Sequence, residues 1–168
     1  MNKKFLLALG FLLVFTFVAF SFETFKPSVF SKRDKVQAPD FSLRDIQGKA
    51  FRLSSHRGNP AIMFFGTTWC PACRTEMPFY RALYDKYAQR GLKFIYIDIN
   101  ESAERVARFA RQNSFPYHVL VDGDGSVASD YNIIGVPTLV LLDQEGSIVG
   151  IGHRIADLPV DALFSAKK

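Results

Sequence analysis

The sequence predicts an α/β domain in which helices flank a central mixed β-sheet, with an N-terminal β-hairpin extension and, before it, an N-terminal transmembrane helix. Three observations support this class. Apolar residues make up 48% of the 168 residues, which is enough for one domain with a hydrophobic core. Short apolar runs alternate with segments of helical periodicity in the middle of the chain. The first 22 residues differ from the rest, because 18 of them form one uncharged apolar run.

The apolar run at residues 5–22 would span roughly 27 Å as a helix, nearly the thickness of a hydrocarbon core. Two lysines precede it, and no Ala-x-Ala cleavage pattern follows it. We therefore predict that residues 1–22 form an uncleaved, single-pass signal anchor. Cleavage near Ser21 is the alternative.

Residues 23–36 are polar and include a small basic cluster, which is typical of a tether, and residues 37–168 are predicted to form the folded domain. Its first two segments, Ala38–Leu43 and Ala50–Leu53, alternate apolar and polar residues. The turn signal Asp45–Gly48 between them predicts a β-hairpin, since Gly48 permits a positive φ.

The next segments predict the centre of the domain. Ala61–Phe65 is a short apolar run typical of a buried strand. Apolar residues at helical spacing then predict a helix from Pro71 to about Gln89, which Gly91 ends. Pro78 lies inside this helix and is expected to kink it, because proline lacks a backbone N–H donor.

The next segments again alternate predicted strands and helices. Leu92–Asp98 is a predicted strand, Asn100 is predicted to cap a helix that ends near Gln112, and His118–Val121 is a predicted third strand, which gives the order β-α-β-α-β. A loop is expected through residues 123–125.

The end of the domain is predicted to be a second hairpin and a helix. Thr138–Leu142 and Ser147–Ile151 are the predicted strands, joined around Gln144–Gly146, and a closing helix is expected from about Ala156.

Both cysteines of the chain lie in Gly66-Thr-Thr-Trp-Cys-Pro-Ala-Cys-Arg74. Two residues separate Cys70 from Cys73, a spacing that allows a disulfide if a helix begins at the first cysteine. Pro71 suits the first turn of that helix. The unpaired N–H groups and the helix dipole favour a thiolate at Cys70, which we expect to be exposed and to act as the nucleophile. Cys73 is the expected resolving thiol.

The chain resembles the thioredoxin superfamily through Trp69-Cys70-Pro71-Ala72-Cys73, through Pro78 five residues after the second cysteine, and through Val136-Pro137-Thr138 before a strand. The resemblance covers about residues 37–165. The leading hairpin, the anchor and Glu76 are similar to the TlpA/ResA-type branch, whose members are membrane-tethered extracytoplasmic thiol:disulfide reductases, some serving cytochrome c maturation.

The resemblance implies a redox-active Cys70–Cys73 disulfide and a cis proline at Pro137 that lies against it and shapes a groove for a partner peptide. It implies a disulfide-containing or dithiol protein as substrate and a membrane reductase as electron donor, with the domain facing the periplasm or extracytoplasmic side of the cell membrane. No organic cofactor and no metal are expected, and the protein is expected to be a monomer. The supporting residues are Trp69, Pro71, Val136 and Pro137.

Glu76 is the predicted third catalytic residue. Cys73 must lose a proton when it attacks a mixed disulfide. In thioredoxin the carboxylate that takes this proton comes from the strand before the motif, where this chain has Phe64. Glu76, one helical turn beyond Cys73, is the remaining candidate and agrees with the TlpA/ResA-type pattern.

Two other functions are alternatives. Ala38-Pro-Asp-Phe41 and the following hairpin also open the related peroxiredoxins, so a peroxiredoxin-like peroxidase is one alternative. A copper- or haem-delivery protein with the thiols as ligands is the other, although His56, His118 and His153 are scattered and Arg74 replaces the histidine of a c-type haem site. The net charge of +5 comes from scattered Lys and Arg, so no nucleic-acid partner is expected.

Overall fold

The structure is a computed structural model that describes residues 35–164. Seven strands form one sheet in this part of the chain: β1 Ser42–Asp45, β2 Ala50–Arg52, β3 Ala61–Gly66, β4 Lys93–Ile99, β5 His118–Asp122, β6 Thr138–Leu142 and β7 Ile148–Gly152. The α-helices of the same part are α1 Pro71–Tyr87, α2 Ala103–Gln112 and α3 Ser126–Asp130. Short 3₁₀ helices lie at Leu53–His56, Ala88–Arg90, Ile155–Asp157 and Val160–Leu163.

The strand order across the sheet is β2-β1-β5-β4-β3-β6-β7. β3, β4 and β5 run parallel in the centre, while β1–β2 and β6–β7 are antiparallel hairpins at the two edges. The central strands read as continuous apolar runs because both faces of a parallel sheet are covered. The predicted mixed sheet with flanking helices and a leading hairpin is thereby confirmed.

The core lies on both faces of the sheet. On one face α1 and α2 pack against β3 and β4 through Tyr80, Tyr87 and Val106, and the two cysteines belong to the same apolar cluster. On the other face α3 packs through Val127. The helix that carries the cysteines is therefore held by the largest buried side chains in the described part of the chain.

The start of α2 differs from the prediction. Ser102, not Asn100, caps this helix, and the Ser102 hydroxyl oxygen accepts the N–H of Arg105 at 3.4 Å. Asn100 instead has a φ of +58° and donates its N–H to the Asp122 carbonyl at 2.9 Å. Asparagine tolerates this left-handed backbone, so it serves the turn that leads out of β4 and does not start the helix.

Helix α3 was not predicted, because its five residues follow a glycine-rich turn. The buried carboxylate of Asp122 accepts the N–H groups of Val127 at 3.2 Å and Ala128 at 2.8 Å. The donors at the start of this helix are thus satisfied by a side chain that precedes the turn, a relation that periodicity does not detect.

Two further predictions concern the helix ends. Helix α1 continues through Pro78 and is followed by the 3₁₀ turn Ala88–Arg90 and by Gly91, whose φ of +94° confirms the predicted stop. The closing helix expected from Ala156 is wrong. That segment forms two 3₁₀ turns separated by Pro159, which cannot continue a helix because it lacks an N–H donor.

The predicted anchor at residues 5–22 lies outside the described residues. Among residues 35–164, no helix has the length and apolar character needed to cross a bilayer.

We predict that Tyr80→Phe lowers the free energy of unfolding by about 1–3 kcal/mol, the usual cost of leaving buried polar groups unpaired. The buried Tyr80 hydroxyl donates to the Ile62 carbonyl at 3.0 Å and accepts the Ile95 N–H at 3.2 Å, so it joins α1 to β3 and β4. Denaturant unfolding of the oxidised protein measures the loss. The control is Tyr84→Phe, because no hydrogen bond of the Tyr84 hydroxyl is found within residues 35–164. Equal losses in both variants would contradict the prediction.

Candidate active site

The two cysteines lie where β3 gives way to α1. Cys70 is the N-cap of α1, Pro71 is its first residue, and the Cys70 sulfur accepts the N–H of Cys73 at 3.0 Å. The cysteines form a disulfide with Cα atoms 5.3 Å apart. A sulfur that caps a helix receives an otherwise unpaired donor and the positive end of the helix dipole, so the site stabilises a thiolate at Cys70.

The disulfide is less exposed than the sequence predicted. Cys70 exposes only 4% of its surface and Cys73 none, whereas the neighbouring Trp69 is 60% exposed. Cys70 is still the more accessible of the two. Both cysteines belong to the apolar cluster beneath α1, and Cys73 is the more deeply buried.

The loop before β6 faces the disulfide. The Val136–Pro137 peptide bond is cis, as the resemblance implied. The carbonyl oxygen of Val136 lies 3.7 Å from the Cys70 sulfur. Ile134, two residues earlier in this loop, is fully exposed. The disulfide therefore lies beside a backbone carbonyl group, and exposed apolar side chains occur next to Cys70 in the chain, at Trp69, and in the cis-proline loop, at Ile134.

His153, which directly follows β7, contacts the loop that contains the cis proline. Its Nδ1 atom lies 2.8 Å from the Pro137 carbonyl oxygen and 3.5 Å from the Thr138 hydroxyl. The Thr138 hydroxyl donates to the Gly135 carbonyl at 2.7 Å. In the sequence, His153 is one of three scattered histidines. Its contact with Pro137 arises because β7 pairs with β6, which brings His153 beside the loop that enters β6.

Glu76 is half-buried on α1, one turn beyond Cys73. Its Oε2 atom accepts the N–H of Ile155 at 3.0 Å, so this carboxylate joins α1 to the segment that follows β7. Phe64 is completely buried in the apolar cluster that contains both cysteines. Strand β3 therefore supplies no carboxylate behind the disulfide.

The loop between β3 and Cys70 is held by an acidic and a basic side chain. Glu101, which follows β4, accepts the backbone N–H of Thr68 at 2.5 Å and the Thr68 hydroxyl at 2.7 Å. The Glu101 side chain is 5% exposed and also pairs with Arg105 at 2.9 Å. From α1, the Arg74 guanidinium donates to the Thr68 carbonyl at 2.8 Å. All three polar groups of Thr68 are thus bound.

A second carboxyl group lies near Glu101. Asp98 of β4 is completely buried, and the Tyr96 hydroxyl lies 3.4 Å from its Oδ2 atom. Burial, followed by the hydrogen bond and the charge of Glu101, raises the pKa of Asp98 to about 8. Asp98 pairs in register with Gly66, where a Cβ atom would come within 3.0 Å of the Tyr96 hydroxyl and the Phe64 ring. A larger residue at the end of β3 would require the Tyr96 or Phe64 ring to shift by a few tenths of an ångström.

Neither Asp98 nor Glu101 was predicted as a site residue. A signal for Asp98 was present, because it is the one acidic residue in a strand that is otherwise apolar after Lys93. Glu101 gave no such signal. It meets Thr68 across 33 positions of the chain because β3 and β4 are parallel neighbours whose carboxyl ends lie side by side. Within residues 35–164, no three His, Cys, Asp or Glu side chains gather in a way that could hold a metal ion.

Comparison with known proteins agrees with this geometry. The model of the AhpC/TSA family matches residues 35–151. The thiol-disulfide oxidoreductase ResA of Bacillus cereus (strain ATCC 10987 / NRS 248) is 33% identical over 124 residues, which cover 71% of this chain and 72% of that protein. ResA of Halalkalibacterium halodurans is 31% identical over 154 residues, which cover 89% and 86%.

A solved structure shows the same fold. The thiol:disulfide interchange protein of the thioredoxin family from Chlorobium tepidum TLS superposes with a TM-score of 0.66 at 30% identity, covering 77% of this chain and 93% of that one. The expected thioredoxin-like fold is thereby confirmed. From the family match, the ResA relatives and the cysteine pair at the start of α1, we conclude that the chain belongs to the AhpC/TSA family and is a thiol-disulfide oxidoreductase of the ResA type.

Proposed function

We propose that this protein is a membrane-anchored, extracytoplasmic thiol:disulfide oxidoreductase that reduces disulfides of partner proteins, with Cys70 as the attacking thiol and Cys73 as the resolving thiol. The observation that carries the proposal is the position of Cys70 at the N-terminus of α1. There its sulfur accepts the Cys73 N–H at 3.0 Å and remains the more accessible of the two.

The reaction starts with both cysteines reduced. The Cys70 thiolate attacks one sulfur of the partner disulfide, the partner's S–S bond breaks, and the released partner thiolate takes up a proton. Cys73 then loses its proton and attacks the Cys70 sulfur of the mixed disulfide. This step breaks the intermolecular bond, releases the second partner thiol and leaves Cys70 and Cys73 joined. A membrane reductase then returns two electrons to this disulfide.

The partner is proposed to bind along the cis-proline loop. The Val136 carbonyl oxygen is beside the Cys70 sulfur, and an extended peptide next to this loop could form backbone hydrogen bonds with it. The exposed side chains of Trp69, next to Cys70, and of Ile134, in the cis-proline loop, offer apolar contact area. A polypeptide substrate fits this open, apolar border better than a small polar molecule does.

We propose Glu76 as the group that accepts the Cys73 proton. It is half-buried one helical turn beyond Cys73, and Phe64 occupies the position from which thioredoxin supplies its carboxylate. The hydrogen bond from Ile155 holds one carboxylate oxygen and leaves the other available for a proton.

The location and pathway rest on the sequence. The apolar segment at residues 5–22 and the TlpA/ResA-type resemblance support an anchored domain on the outer side of the cell membrane. The same resemblance supports apocytochrome c disulfides as one substrate class.

Cys73→Ser is expected to trap partner proteins on Cys70, because the mixed disulfide can no longer be resolved from within. Covalent adducts should appear on non-reducing gels and disappear on reduction. Cys70→Ser is the matched control and should give few adducts, since the remaining Cys73 is fully buried. Equal trapping by both variants would reverse or remove the assignment of the two thiols.

Glu76→Gln is expected to preserve the fold and the disulfide but to slow thiol exchange, because the side chain keeps its shape and loses its proton acceptor. The pH profile of the exchange rate should lose its acid limb in this variant. Glu145→Gln provides a control, since Glu145 is exposed and pairs with Lys35 at 3.3 Å. Superimposable profiles for the wild type and Glu76→Gln would remove Glu76 from the mechanism.

The anchor is tested by topology. A reporter that is active only outside the cytoplasm, fused after Lys168, should be active, and the protein should fractionate with membranes. A soluble mature form beginning near Ser21 would exclude the anchor but keep the compartment. Activity of a cytoplasm-specific reporter would exclude both.

A further inference from the structure

Two buried carboxyl groups at the end of β4 lie behind the loop that leads to Cys70. We propose that Asp98 and Glu101 share one proton, and that the singly charged pair positions the Thr68–Trp69 segment and therefore the Cys70 sulfur. The pair acts through the loop and does not touch the reacting atoms. The inference rests on the proposed function in so far as Cys70 is the thiol being positioned.

Glu101 makes the direct contact with the loop. Its two oxygens accept the Thr68 N–H and the Thr68 hydroxyl, at 2.5 Å and 2.7 Å. Both acceptors are most effective when Glu101 is ionised, since hydrogen bonds to a charged acceptor are roughly twice as strong as neutral ones. Arg105 also pairs with Glu101 at 2.9 Å.

Asp98, in contrast to Glu101, is more stable in its protonated form. It is completely buried, and its Oδ1 atom has no hydrogen-bond partner within the described part of the chain when the group is a carboxylate. A proton on this carboxyl group supplies a donor for Glu101 and removes the unpaired buried charge. The Tyr96 hydroxyl, 3.4 Å away, is a partner for the other oxygen. One proton therefore satisfies both acids.

The surrounding groups also favour the protonated form of Asp98. Burial and the neighbouring Glu101 raise the pKa of Asp98, while Tyr96 and Arg105 partly oppose them, so the group titrates at about 8. Arg74 of α1 also binds the loop, since its guanidinium donates to the Thr68 carbonyl. At neutral pH the pair carries one proton and one negative charge.

Above this pH the second acid ionises. Two negative charges then occupy one buried site. Their repulsion disfavours the position in which Glu101 accepts both hydrogen bonds from Thr68. Thr68 lies two residues before Cys70, and the Cys70 N–H donates to the Thr67 carbonyl at 3.3 Å, so a displaced loop moves the sulfur. Small displacements of a reacting atom cost large factors in rate. We infer a loss of loop order, and with it of exchange efficiency, near pH 8.

The chain contains a reporter for this event. Trp69 is its single tryptophan and follows Thr68 directly. In the oxidised protein the cysteines do not titrate, so a pH-dependent change in Trp69 fluorescence reports the loop without a contribution from thiolates. The wild type should show a transition with a midpoint near pH 8. Asp98→Asn should lose it, because the amide still donates a hydrogen bond to Glu101 but cannot ionise.

Asp85→Asn is the control, since Asp85 lies on the exposed face of α1, 63% exposed and paired with Arg81. It should keep the wild-type transition. A transition near pH 8 that persists unchanged in Asp98→Asn, or a wild-type protein without one, would overturn the proposal.

Thermal unfolding gives a second, independent readout. The folded protein retains the Asp98 proton between pH 4 and 8 while the unfolded chain has released it, so wild-type stability declines with rising pH in this window. Asp98→Asn lacks this decline, and its melting temperature should rise relative to the wild type from pH 4 to 8. A constant offset across the window would overturn the shared proton.

Neither readout uses thiol chemistry. If Cys73→Ser traps no partner while the Trp69 transition and its loss in Asp98→Asn are observed, the proposed function fails and the carboxyl pair stands. If trapping succeeds and Asp98→Asn keeps the transition, only the inference about the pair fails.

Discussion

The hydrogen bond from the Cys73 N–H to the Cys70 sulfur is the interaction on which the site depends. It exists only because α1 begins at Cys70, where the first backbone donors of a helix have no intrahelical partner. The helix start is set in turn by packing further along, since Tyr80 joins α1 to β3 and β4 through its buried hydroxyl. The sulfur position is thus determined by the packing of a helix 17 residues long.

Three separate parts of the chain complete the site around this helix end. Glu101 holds the preceding loop at Thr68, His153 contacts the cis-proline loop at Pro137, and Glu76 joins α1 to the segment after β7. In each contact, a polar side chain binds a backbone N–H or carbonyl group of a connecting segment. These backbone groups are not paired with a neighbouring strand. Such contacts satisfy donors and acceptors that the sheet and helices leave unpaired. They hold in place the loops that surround the cysteine pair.

The acids of the site have unequal surroundings. Glu76 is half-buried on a helix, whereas Asp98 is completely buried beside a second carboxyl group. Burial and a like charge both favour the neutral form, so the two environments assign different tasks. The proposed roles follow this difference, with Glu76 as the proton acceptor during exchange and Asp98 as the group that holds a proton at neutral pH.

Local patterns in the sequence were sufficient for the sheet, the hairpins, α1, the cysteine pair and, through the family resemblance, the cis bond at Pro137, because these features follow from periodicity, turn residues and short motifs. They were not sufficient for the cap of α2, where Asn100 and Ser102 are both acceptable residues and only the exit from β4 decides between them. They also missed α3, whose first donors are bound by the Asp122 carboxylate across a short turn, and the contact of Glu101 with Thr68. Hydrogen bonds between residues far apart in the chain depend on which strands become neighbours, and that is decided only when the sheet assembles.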